Sequence, residues 1–309
     1  MKNLTSIFIT IIVVLVSVSC SSDSSVYDPF KEQTKQPFYP ARLSFRSVND
    51  NGAITEKNWV FEYNSDNTIK RYTYTHSVSG TNIDIEETKV GNLRYYTDYK
   101  GNRCIETKSY SSYTSKRLAD ILVYTDTITE DARFNNNHIE SIDTKGWRTT
   151  NGETVTTLSS RQTFNYSNDL CTSSTYTDSN NETTYTYKWN NNMLAVVTIH
   201  NQSKNNSDLT HDTYEYRYDN RTLASYYEFN PLAFVYGNKP QIYDAMGYLG
   251  KSTPYLLEFE EYNGYESING KRYDIQSVQR SYHIMSGANS LIYSAESPGY
   301  SEYIFNFNN

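Results

Sequence analysis

Five histidines stand at 76, 138, 200, 211 and 283, none four residues from another and none beside a cysteine. Zinc sites legible in a sequence have that spacing, because two ligands must project from one helix face or one tight turn. No metal site is therefore predicted. Glu86 with Glu87, and Glu258 with Glu260 and Glu261, have the residue type of glycosidase carboxylates, which work as a pair at a set separation. Acids placed beside strand aromatics read instead as solvated faces. The stretch DSNNE at 178–182 has the acidity of a calcium loop but lacks its glycine and distal glutamate, so it reads as a hairpin turn. No catalytic residue and no cofactor are expected, and the chain reads as non-enzymatic.

Aromatic residues are the other chemistry on offer. There are 31 tyrosines against 12 phenylalanines. A tyrosine buries its ring while its hydroxyl reaches water, so a wide sheet with a wet face can use many of them. Rows of Tyr and Trp can be stacking platforms for sugars. Cross-strand ladders that hold a sheet together are the commoner use.

The elements that carry these rings are strands. Trp59, Phe61 and Tyr63 alternate with Val60 and Glu62; Tyr185, Tyr187 and Trp189 alternate with Thr186 and Lys188; Tyr214, Tyr216 and Tyr218 alternate with Glu215 and Arg217. Period two in aromatic and β-branched residues means half-buried strands. Each run breaks into Asn, Asp or Ser before an aliphatic, which predicts hairpin turns near 64–68, 135–138, 167–169, 190–192 and 219–222. The spacing between units is irregular, which disfavours a solenoid or propeller. The predicted fold is all-β: a large curved antiparallel up-and-down meander of ten or more strands, an open sheet or partial barrel built from repeated hairpins. The segment Asn230 to Tyr265 interrupts it with three prolines and tyrosines at 236, 243, 248 and 255. Such an insertion either presents a binding surface, with Tyr236, Tyr243, Tyr248 and Tyr255 as candidate ligand contacts beside Asn238 and Lys239, or plugs or caps the sheet. After Gly270 the alternation resumes, and YSEYIFNFNN is the expected last strand.

Residues 1–19 have the anatomy of a secretory signal: Lys2, then an apolar run that is too short to span a bilayer comfortably. The run ends in LVSVSC at Cys20, which resembles the lipobox of bacterial lipoproteins and implies lipid on Cys20 and a membrane anchor. Residues 20–38 read as a flexible tether with Pro29 and Pro37, and residues 39–309 as the β domain. The Ser and Asp cluster after Cys20 is similar to export signals of surface lipoproteins of the Bacteroides group. Without residues 1–19 the net charge moves from −7 to −8, so no basic nucleic-acid footprint is present. Cys104 and Cys171 either pair in an oxidising compartment or are two small semi-buried thiols.

The recurring FEYNSDN and YRYDNRTL, the lipobox, and the later NPLAF and MGYLGKSTPYL resemble uncharacterised Bacteroides-group lipoproteins catalogued with a porin-like fold. That resemblance implies a many-stranded antiparallel sheet on an exported, outer-membrane lipoprotein, and it carries no established activity over to this chain. Two functions follow as expectations: a cell-surface binding module for glycan or peptide, or an accessory lipoprotein that partners an envelope protein or shelters an acyl chain. An aliphatic groove would favour the acyl chain, and aromatics beside polar groups the glycan. A true porin is the third option, opposed by charged residues on both strand faces.

Overall fold

The structure, a computed structural model, describes residues 39–49, 52–80, 83–117, 120–222, 232–236, 239–251, 255–287, 290–295 and 300–307. Cys20 and the segments expected to be signal and tether lie outside the described residues. Within them run β1 (Pro40–Val48), β2 (Ile54–Tyr63), β3 (Ile69–Gly80), β4 (Ile83–Thr97), β5 (Arg103–Arg117), β6 (Asp120–Asn135), β7 (His138–Thr150), β8 (Glu153–Ser167) and β9 (Leu170–Thr177). The second half holds β10 (Asn181–Asn190), β11 (Met193–Ser203), β12 (Leu209–Thr222), two short helices α1 (Leu232–Tyr236) and α2 (Gln241–Ala245), and then β13 (Tyr255–Ile268), β14 (Lys271–Ser281), β15 (His283–Gly287), β16 (Ser290–Ala295) and β17 (Tyr300–Phe307).

All seventeen strands belong to one antiparallel up-and-down sheet, and β1 pairs with β17 as well as β2, which curls the sheet into a nearly closed barrel. β14 runs into β15 across Tyr282, whose N–H donates to the Glu258 carbonyl at 2.8 Å. β14 pairs with β13, and β15 with β16. Among the described residues the second edge of β14 carries no registered strand.

Asparagine makes the turns. Asn168 and Asp169, and Asn191 and Asn192, both sit at positive φ (52°, 64°, 50° and 62°), the two-residue geometry whose twist matches that of the flanking strands. Asn-Gly at 151–152 and 269–270 does the same at the opposite end. Four predicted turn windows are turns. The fifth, 219–222, is instead the end of β12, where the register slips twice after Arg217 and Thr222 pairs with Tyr255. The slipped register makes this an irregular strand end.

The repeated motif has a structural cause. Near the ends of five strands an aromatic side chain reaches a neighbouring backbone carbonyl: Tyr63 Oη donates to Pro40 O at 2.8 Å, Tyr95 to Ile69 O at 3.0 Å, Tyr166 to Ile139 O at 2.7 Å and Tyr218 to Leu194 O at 2.6 Å. Trp189 Nε1 does the same to Cys171 O at 2.7 Å. The register slips beside Tyr63, Tyr166 and Trp189, and a slipped register leaves carbonyls without ladder partners. The aromatic supplies the missing donor. Ile69, Ile139, Cys171 and Leu194 form a buried girdle beneath these stitches.

That girdle is covered from inside by residues 232–236 and 239–251. α1 reads LAFVY, and Leu232, Ala233, Phe234 and Val235 are all buried, as expected for a helix apolar all round. α2 ends where Gly247 at φ 71° lets the Tyr248 N–H return to Tyr243 O at 3.0 Å and its own N–H to Asp244 O at 3.0 Å, a Schellman closure. The Ile139 N–H donates to Tyr248 O at 2.9 Å, and the Lys251 N–H to Asp169 O at 2.8 Å. The irregular segment is thus a plug hydrogen-bonded to the wall. It is shorter than the sequence suggested, since Tyr255 already begins β13.

Cys104 and Cys171 are free, buried thiols. Burial pushes the Cys171 thiol up to about 11.

Candidate functional site

The inward phase of the wall is set by Trp59 and Phe61, whose rings meet Phe234 of the plug at 5.3 and 6.0 Å. Residues in step with them face the lumen. Lys57 precedes Trp59 by two and so points inward, opposite Phe45 on one side and His76 on the other. On β4, Glu87 and Lys89 are in phase with buried Leu93; on β6, Glu130 is in phase with buried Ala132. Above the plug these side chains enclose a cup of about 320 Å3, within the size range of small-ligand sites.

Its wall is aromatic: Phe45, Trp59, Tyr72, Tyr74 and Tyr303, with Phe234 and Tyr243 rising from the plug. Phe45 and Tyr303 lie 4.6 Å apart and Trp59 and Tyr74 4.9 Å apart, centroid to centroid. Tyr72 lies across Gly91, and a Cβ there would come within 2.2 Å of its ring. Glycine at 91 is what lets that ring lie flat against β4.

Four charges project into the same cup: Lys57, Glu87, Lys89 and Glu130. Burial lowers the Lys57 ammonium pKa against the opposing pull of Glu87. Burial raises the Glu130 carboxyl, with Lys89 and the Tyr243 hydroxyl acting in the other direction. Burial, then Glu87, pushes Tyr74 up to about 12. Tyr243 Oη sits 2.8 Å from Thr107 Oγ1 and 3.5 Å from Glu130 Oε2. Glu87 lies 3.7 Å from His76 Nδ1. The cup thus offers flat apolar faces together with donors and acceptors of both signs.

The sequence-predicted residues are distributed unevenly around it. Tyr243 lines the cup and is buried. Tyr248 is half-buried against Phe134 at 5.3 Å, Tyr255 is half-buried at the start of β13, and the side chain of Tyr236 lies outside the described residues. Lys239 is buried and bonded to Asp244 at 3.3 Å; Asn238 is outside the described residues. The acidic residues do not gather as pairs. Glu87 points into the lumen and Glu86 outward; Glu260 is buried, accepting from Tyr282 Oη at 2.9 Å, while Glu258 is exposed. Asp178 Oδ1 accepts from the N–H groups of Asn180 and Asn181 at 2.7 and 2.8 Å, the hairpin turn anticipated there. His200 and His211 meet each other on the outer face, and among the described residues no group of three His, Cys, Asp or Glu side chains gathers to hold a metal.

Lys57, Lys89 and Glu130 escaped the sequence reading. Their signal is a charge on the apolar phase of a strand, as in Lys57-Asn58-Trp59-Val60-Phe61.

The outer wall carries many charges beside exposed apolar side chains such as Val60 and Tyr110. Its cross-strand neighbours include the ion pairs Arg46–Glu56 at 3.5 Å, Arg71–Glu62 at 3.7 Å, Arg94–Glu106 at 3.0 Å and Arg161–Asp143 at 3.2 Å. A lipid-facing barrel wall carries an apolar band at these positions, and this one carries charge. Among the described residues no helix is long and apolar enough to cross a membrane.

No protein-family model matches the chain, and no curated protein does. Among solved structures it is similar to a porin-like protein from Bacteroides uniformis, at 11% identity and a TM-score of 0.49, over 88% of this chain and 98% of that one.

Proposed function

We propose that this protein is a non-enzymatic, exported lipoprotein, anchored in the outer membrane by lipid on Cys20 and exposed at the cell surface, whose barrel lumen binds glycan. The observation that carries the reading is the lining of the cup. Seven aromatic rings stand among two ammonium groups and two carboxylates, and among the described residues Ile242 and Pro240 are its only other apolar side chains. Sugars present flat C–H faces to rings and hydroxyls to charges, so this surface suits them. An acyl chain would call for aliphatic walls. A peptide added as a strand would use the edge of β14 that carries no registered strand among the described residues, but Lys271, Arg272 and Asp274 lie along β14, and charged edges discourage pairing. The charged outer wall is consistent with a barrel held at the membrane by lipid and standing in water.

The test uses the full chain in mild detergent on a glycan array, beside Trp59→Ala and Lys89→Met. Binding by the wild type that both substitutions weaken is the expected result. Glycan binding that neither substitution changes removes the site from the cup, and retention of acyl chains without glycan binding replaces the reading with the accessory one. For the anchor, Cys20→Ala is expected to lose detergent partitioning, and a variant that still partitions sinks the lipid assignment.

A further inference from the structure

The cup is one end of a longer surface. Successive cross-strand partners on the inward face run Tyr303, Phe45, Lys57, His76, Glu87, Tyr113, Tyr124, from β17 across β1 to β6. At its far end Tyr113 and Tyr124 stack at 4.6 Å with their planes 18° apart. The Arg148 guanidinium lies 3.6 Å from the centroid of Tyr124 and is held there by Asp126 through two bonds of 2.9 Å. This second platform is half-buried and borders the lumen. Phe45 on β1 and Tyr113 on β5 are four strand spacings apart, roughly 19 Å along the wall at about 4.8 Å per strand. Between them lie hydrogen-bonding groups: Lys57, His76, Glu87 and, one rung deeper, Lys89.

Resting on the reading of the lumen as a glycan site, we propose that its ligand is a linear, uncharged oligosaccharide several rings long, laid across both aromatic platforms. Length follows from the separation, which one ring cannot bridge. Neutrality follows from the charges, because Lys57 and Lys89 face Glu87 and Glu130 in equal number and Arg148 is already matched by Asp126. An anionic chain would find no excess of cations.

Isothermal titration of the full chain in detergent is run with malto-, cello-, manno- and xylo-oligosaccharides from one ring to six, and with oligogalacturonides as the anionic arm. For the family that binds, affinity is expected to rise about tenfold or more between two rings and six. Tyr113→Ala and Tyr124→Ala are expected to lose that gain while short oligomers bind as before; Tyr124→Phe keeps it. Affinity independent of length, a gain that survives both alanine substitutions, or preference for oligogalacturonides overturns the inference and leaves the glycan reading standing. Failure of every oligosaccharide to bind overturns both.

Discussion

The plugged half and the open half of the barrel interior are built from the same side chains and use them in opposite ways. Around the plug, tyrosine hydroxyls are committed to backbone carbonyls, as Tyr63, Tyr95, Tyr166 and Tyr218 show, and Lys239 is held by Asp244 with both side chains nearly inaccessible at 4% and 5%. In the open half, Tyr113 and Tyr124 stack on each other, and Lys57 and Lys89 face the cup with no ion pair within 4.0 Å among the described residues. The same residue is structure where water is shut out and surface where water enters. A buried polar group must be satisfied by the protein itself, whereas a wetted one can exchange water for a ligand.

The comparison breaks or sharpens on a series of measurements. The largest effect is expected at Asp244→Ala, which strands the Lys239 ammonium between Tyr187 and Trp189. A loss of about 3–5 kcal/mol in urea denaturation is expected for a broken buried pair; a loss below about 1 kcal/mol means that water reaches the plug. Gly91→Ala comes next, since the new methyl meets the Tyr72 ring and must move it, at about 1–3 kcal/mol. Full stability in that variant contradicts the placement of Tyr72. Tyr166→Phe removes one stitch and is expected to cost about 1 kcal/mol, against no measurable change for Tyr113→Phe on the open side.

The fourth measurement reads a slope. The Glu130 carboxyl is raised by burial above its ordinary 4.5, so the folded state holds that proton more tightly than the unfolded chain does. Stability therefore falls as pH rises from 4.5 through the raised value and then levels. Glu130→Gln is expected to flatten that fall, and an unchanged pH profile places Glu130 in water. The smallest effect belongs to the outer wall. Arg46→Ala breaks an ion pair whose two side chains are 48% and 50% exposed and is expected to change stability by less than about 0.5 kcal/mol.

Individual residues show how far the sequence could be read. Trp59, Phe61 and Tyr63 announce β2 because side chains of a strand alternate faces whatever surrounds them. Asn191 and Asn192 announce a hairpin because asparagine tolerates positive φ better than other residues with a side chain. Asp219 to Thr222 mislead for the same local reason: their types permit a turn, but pairing with β13 holds them as strand. Lys57 was visible as a charge in step with aromatics, yet its closeness to Lys89 and Glu130 was not, because one strand of unknown register separates it from Lys89 and three separate it from Glu130.

By itself the sequence determined what depends on near neighbours along the chain: strands by their period of two, hairpins by their asparagines, and the aromatic-turn-aliphatic unit that repeats around the wall. Only the tertiary structure decided which face of each strand turned inward, that β17 met β1, that residues 232–236 and 239–251 filled the barrel instead of decorating it, and that an aromatic surface lay in the lumen. Those outcomes depend on closing a sheet across the whole length of the chain, where a shift of one residue in any register would exchange inside for outside.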